Sequence, residues 1–113
     1  MEQANDFDYA GPEEDLIDNN ISDNCVFIGS KPFMNYVTGV VMQFTTQAAD
    51  EVIVKARGKF ISRAVDVAEV STKRFLEGAI CINDIRIDSE GFQNRDGKDV
   101  RVSTIEIALR RKD

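Results

Sequence analysis

The chain predicts an α/β fold: a two-layer sandwich in the order strand-helix-strand-helix-strand-strand. A mixed four-stranded sheet carries two helices on one face and a long C-terminal β-hairpin arm. Three observations lead there. Short β-branched runs alternate twice with longer stretches whose apolar residues recur at helical spacing. Two later stretches alternate apolar and polar residues on either side of Asp96-Gly97, a hairpin signal. Finally, 113 residues of which 42% are hydrophobic suffice for one core without staples.

Taken in order, Cys25 to Ile28 reads as the first strand, closed by Gly29. Pro32 suits the first turn of a helix, with Ser30 as a candidate N-cap. Phe33, Tyr36, Val37, Val40, Val41 and Phe44 continue one apolar stripe, which carries helix one to about Gln47. Val52 to Val54 is apolar on consecutive residues, as in a strand covered on both faces. Gly58 marks a turn. Helix two runs from about Phe60 to Leu76 on the stripe Ile61, Ala64, Val65, Ala68, Phe75, and Gly78 stops it. Val67 and Val70 lie outside that stripe and predict a second contact surface, such as another subunit. The hairpin pairs Ile80 to Ser89 with Val100 to Arg111, and its alternation changes phase in both arms, which predicts bulges or a twist. Arms of about ten residues reach roughly 33 Å, so the tip projects beyond the body.

The formal charge of −6 hides a split. Residues 1–24 hold eight of the twenty acidic residues and none of the fourteen basic ones, whereas the remainder carries a small positive excess. Residues 1–23, with scattered hydrophobes and no period, predict an acidic disordered tail. Residues 24–113 form the folded domain. Cys25 and Cys81 each sit inside an apolar run and read as reduced, buried thiols, bridged only if their strands are neighbours. The sequence offers no signal-peptide pattern and no apolar run long enough to span a membrane, so an intracellular soluble protein is expected.

Without histidine, Ser-His and Cys-His nucleophile pairs are excluded and the commonest general base is missing. Two cysteines do not complete a tetrahedral zinc set. Asp66 and Glu69 share a helix face, but Lys73 four residues after Glu69 makes a salt-bridged face the simpler reading. No active site, metal, cofactor or small-molecule substrate is therefore expected.

What stands out is a run of four cations without a carboxylate: Lys55, Arg57, Lys59 and Arg63, around Gly58. Placed where a strand passes into a helix, it combines side-chain charge with free backbone N–H groups, as a phosphate site requires. Alone, such a run is more often a solvated turn. Lys31 opens helix one, and parallel strands would bring both helix starts to one sheet edge. Arg95, Lys98 and Arg101 crowd the hairpin tip beside Asp96 and Asp99.

Three stretches carry a resemblance: Ile28-Gly29-Ser30-Lys31-Pro32-Phe33-Met34-Asn35-Tyr36-Val37; Val54-Lys55-Ala56-Arg57-Gly58 followed by Ile61-Ser62-Arg63-Ala64-Val65-Asp66; and Val102-Ser103-Thr104-Ile105-Glu106-Ile107. In order and spacing, from about Asn24 to Lys112, the chain resembles the Alba (Sac10b) family of archaeal chromatin proteins. That family's fold resembles the C-terminal domain of bacterial translation initiation factor three, in agreement with the layout above. The resemblance implies a homodimer that binds and compacts double-stranded DNA with little sequence preference, bodies against the backbone and hairpin arms along the minor groove, and that also binds RNA. It implies phosphate contacts from Lys31 and Arg57, arm contacts from Arg86, Arg95, Lys98 and Arg101, and a dimer-dimer contact at Phe75. It also implies a cytoplasmic, chromosome-associated location.

Two departures stand out. Ser30 occupies the place of the first lysine in the family's Gly-Lys-Lys-Pro, the one associated with acetylation control, and the acidic tail is atypical. Both favour one alternative, a regulatory partner that forms a heterodimer with a more basic paralogue. The other alternative, an RNA-binding, RNA-processing subunit, is implied by RNA-processing relatives of the same family.

Overall fold

The computed structural model describes residues 24–112. The acidic tail expected over residues 1–23 lies outside them. Strand β1 (Cys25–Phe27) leads into helix α1 (Phe33–Thr45), β2 (Glu51–Arg57), a 3-10 turn (Gly58–Phe60), helix α2 (Ile61–Val70), a π turn (Ser71–Phe75), β3 (Ile80–Gln93) and β4 (Asp99–Arg111). The sheet order is β1-β2-β4-β3. β1 pairs with β2 in parallel, and β4 runs antiparallel to both neighbours. The mixed four-stranded sheet and hairpin arm follow the expected layout.

Alternation along β2 sets the layers. Val52, Val54 and Ala56 are buried and the residues between them half-buried. Val52 pairs with Leu109, Val54 with Ile107 and Ala56 with Ile105, which extends the buried row into β4. Ile28, directly after β1, and Val37, Val40, Phe44 and Val67 from the helix layer complete the core, each at most 2% exposed. Burying such side chains stabilises the fold by roughly 1.5–3 kcal/mol each before entropy is counted. The expectation that β2 is covered on both faces is corrected: among the described residues no helix lies on its second face, and Ile53 there is only half-buried.

Helix α1 follows its stripe, with Tyr36, Val37, Val40 and Phe44 buried. Its N-cap is Pro32, at φ −55° and ψ 141°, with no capping hydrogen bond, so Ser30 does not cap it. The helix ends at Thr45, where Ala48 takes a left-handed φ of 54° and the Ala49 N–H donates to the Gln43 carbonyl at 2.9 Å. Arg111 closes this end from β4. Its guanidinium donates to the Phe44 carbonyl, donates to the Ala49 carbonyl at 3.0 Å and lies 5.7 Å from the Phe44 ring centre. Since hydrogen bonds from a charged donor are worth about 1.5–3 kcal/mol, Arg111→Met is expected to destabilise the fold by about 1–2 kcal/mol. Urea or thermal unfolding measures the loss.

The expected stripe of α2 is corrected. Ala64, Val67 and Ala68 are buried, whereas Val65 is 42% and Phe75 52% exposed. The expected single helix to Leu76 becomes an α-helix to Val70 and one π turn, in which the Leu76 N–H donates to the Ser71 carbonyl five residues back. The wider turn adds a residue to the repeat and swings Phe75 off the core face. Thr72, buried, donates its hydroxyl to the Ala68 carbonyl at 2.9 Å. Gly78, at φ 82°, ends the segment.

The phase change in β3 is a bulge at Asn83, where the register with β4 jumps between Ile82 and Asp84. β4 has no matching bulge: its register runs unbroken, so Val100 and Val102 simply face the side opposite Ile105 and Ile107. The strands are 14 and 13 residues long, longer than expected. β2 ends at Arg57 opposite Thr104, so the pairs from Ser89–Ser103 to Gln93–Asp99 stand free of it, a reach of about 17 Å before the turn. Cys25 and Cys81 are not bridged to each other, and the expectation of buried thiols is corrected, since both are only half-buried on edge strands. They lie on opposite edge strands, about 14 Å apart at the usual strand spacing, beyond disulfide reach.

Candidate nucleic-acid interface

Because β1 and β2 are parallel, both run toward the same sheet edge, and the chain turns there twice: through Gly29 to Pro32 into α1, and through Gly58 to Phe60 into α2. The arm projects from that edge as well, since β4 enters antiparallel and its first residues extend past Arg57. Lys31, Gly58, Lys59, Arg63 and the base of the arm therefore share one end of the molecule.

The two turns are tied together. Arg63, in the first turn of α2, donates to the Gly29 carbonyl at 2.5 Å and stacks 5.7 Å from the Tyr36 ring centre. The Tyr36 hydroxyl in turn accepts the Lys31 backbone N–H at 3.0 Å. Arg63 thus fixes the Lys31 loop against α2, an internal role that the sequence did not reveal. Gly58 has a left-handed φ of 57°, which lets the strand turn abruptly into the helix.

Lys55 and Arg57 are not in this corner. β2 continues three residues past its expected end, and alternation puts both on the face opposite Val54 and Ala56. There Lys55 lies 5.4 Å from the Phe27 ring centre and pairs with Glu106 at 3.8 Å. Arg57 pairs with Glu90 of β3 at 3.6 Å. Arg86, on the same face, pairs with Asp84 at 3.4 Å. The single basic corner is therefore two groups on opposite sides of the sheet that meet at its edge. Exposed ion pairs contribute about 0.2–1 kcal/mol each, so a polyanion can displace them at small cost.

Arg101 lies in the middle of the arm, on the helix-side face. It donates to the Ser89 hydroxyl and the Ser89 carbonyl, both at 3.1 Å. It also passes over its cross-strand partner Gly91, where a Cβ would meet Nη1 at 3.1 Å. Arg95 and Lys98 stand exposed at the tip. The Asn94 side chain orders that turn by accepting the Asp96 and Lys98 N–H groups at 2.9 and 3.0 Å, and Gly97 supplies a φ of 81°. Ile85 and Ile87, on the helix-side face at the base of the arm, are 55% and 79% exposed. Glu90, Glu106, Ser89 and Gly91 belong to the site but carry no sequence signal, because only the strand register brings them to the cations.

Residues 24–89 match the family model described as Alba. The chain is 54% identical over 87 residues to the DNA/RNA-binding protein Alba of Methanococcus maripaludis, an alignment covering 77% of this chain and 97% of the relative. It is 58% identical over 88 residues to the protein of the same name from Nanoarchaeum equitans, again covering 77% and 97%. Among solved structures, Alba from Thermoplasma volcanium superposes with a TM-score of 0.70 at 47% identity, covering 77% of this chain and 99% of that one. ALBA1 from Trypanosoma brucei gives a TM-score of 0.62 at 23% identity over 80% and 70% of the two chains, a likeness of fold alone.

Proposed function

Since this chain belongs to the Alba family, we propose that it binds nucleic acid without sequence preference, as an architectural protein that coats and compacts double-stranded DNA and also takes structured RNA. The relatives named above are named for binding both polymers. The observation that carries the reading is the gathering of the Lys31 loop, the Gly58 to Arg63 turn, Arg57 and the hairpin arm at one sheet edge. Cations set on rigid turns contact phosphates without reading bases, and a narrow two-stranded arm fits along a groove. No part of the reading calls for catalysis, and the place of action is the chromosome in the cytoplasm. Electrophoretic retardation of duplex DNA and of structured RNA at low salt tests it. Failure of both polymers to shift refutes it.

The active form in this reading is a dimer. Ile85 and Ile87 are the large hydrophobic residues of β3 that stand exposed, whereas Ile80 on the same strand is buried, and a second copy would cover them. Ile87→Asp is expected to shift the protein to monomer in sedimentation at micromolar concentration. At the same time it should weaken polymer binding, because one subunit offers half the cations. A variant that stays dimeric would remove this surface from the interface. Phe75, exposed at the end of the π turn, is left for contact between neighbouring dimers.

A further inference from the structure

The arm is not basic. From Asp84 to Arg101 it carries Asp84, Asp88, Glu90, Asp96 and Asp99 against Arg86, Arg95, Lys98 and Arg101. On the face opposite the helices, Thr104 of β4 lies between Arg57 and Asp88 in one row of the sheet. Glu90, two residues beyond Asp88, reaches diagonally across to Arg57 at 3.6 Å. That separation holds the guanidinium without satisfying it. Arg57 Nε is buried and has no hydrogen-bond partner among the described residues, although a guanidinium presents its donors as a fork suited to two oxygens of one anion.

We propose that Glu90 is a built-in phosphate mimic. In the polymer-free protein its carboxylate sits beside Arg57 and keeps the guanidinium at the sheet edge. When a backbone phosphate arrives, it takes both the Nη2 position held by Glu90 and the unpartnered Nε, and Glu90 swings to solvent. Binding is then an exchange of one anion for another, which weakens the affinity for any polyanion but leaves Arg57 oriented in advance. Glu106 at 3.8 Å from Lys55 repeats the arrangement one row along. The proposal rests on the nucleic-acid reading above and adds a residue that sets its strength.

A charge-conserving variant separates this from a simple field effect. Glu90→Asp keeps the charge but is one methylene shorter, and it is expected to lose the reach to Arg57. With a duplex of about 20 base pairs, Glu90→Gln is expected to bind roughly two- to fivefold tighter per subunit, and Glu90→Asp to show a smaller gain. In an Arg57→Gln background the Glu90→Asp gain should vanish. Without polymer, the Arg57 Nε–Hε resonance should move in Glu90→Asp, a readout independent of affinity. The exchange is refuted if Glu90→Asp matches the parent in both affinity and resonance, or if Glu90→Gln binds no tighter. If the resonance moves but the parent protein binds neither polymer, the ion pair stands, while the nucleic-acid reading and the exchange built on it both fall.

Discussion

Deleting residues 1–22 is expected to tighten binding to duplex DNA roughly tenfold or more at about 50 mM salt, with the gain shrinking toward nothing near 0.5 M. The deleted segment carries seven acidic residues and no lysine or arginine, and the expectation follows if it competes with a polymer for the same cations. It joins the fold at Asn24, whose carbonyl accepts the Ile53 N–H at 2.8 Å. From there a chain of this length spans up to about 75 Å, against about 23 Å for the seven residues of β2. The basic edge is thus within reach. Equilibrium titration of the full and shortened chains against one duplex decides it, and equal affinities at low salt would leave the acidic segment without a competing role.

Arg57→Ala is expected to be the most damaging single substitution. Affinity for B-DNA falls with salt by a slope of about 0.9 per phosphate neutralised, so near 0.1 M salt each lost contact costs roughly tenfold. A dimer loses two. The substitution also leaves Glu90 without the partner it has at 3.6 Å and so adds a carboxylate facing the polymer. With Ser30 beside Lys31, that loop offers a single lysine to compensate. The expected result is a loss of roughly a hundredfold and a salt slope shallower by about 2, with thermal stability unchanged within a degree or two. A loss under threefold would remove Arg57 from the interface.

The elements were legible wherever periodicity had one cause. The α1 stripe and the Asp96-Gly97 turn follow directly from residue type, since only one helix face could be buried and only glycine takes the turn's φ without strain. The end of α1 was not legible: Ala48 adopts the left-handed conformation that glycine normally signals. The π turn erased the sense of the α2 stripe, because a single widened turn moves Phe75 from an expected core position to the surface. In the candidate site, the cations were visible as a charge run. Their division between two faces depended on β2 reaching Arg57, and a charged residue does not announce where a strand ends. The carboxylates that hold them, Glu90 and Glu106, come from strands far along the chain, and only the register links them.

The most direct measurement is the salt dependence of binding for two unrelated duplexes, followed by fluorescence anisotropy from about 50 to 300 mM salt. Phosphate recognition at a shared basic edge predicts straight log–log plots with the same slope for both sequences, steeper than about −3 for a dimer, and affinities within about threefold of each other. A slope near zero, or a hundredfold preference for one sequence at equal slope, would contradict it.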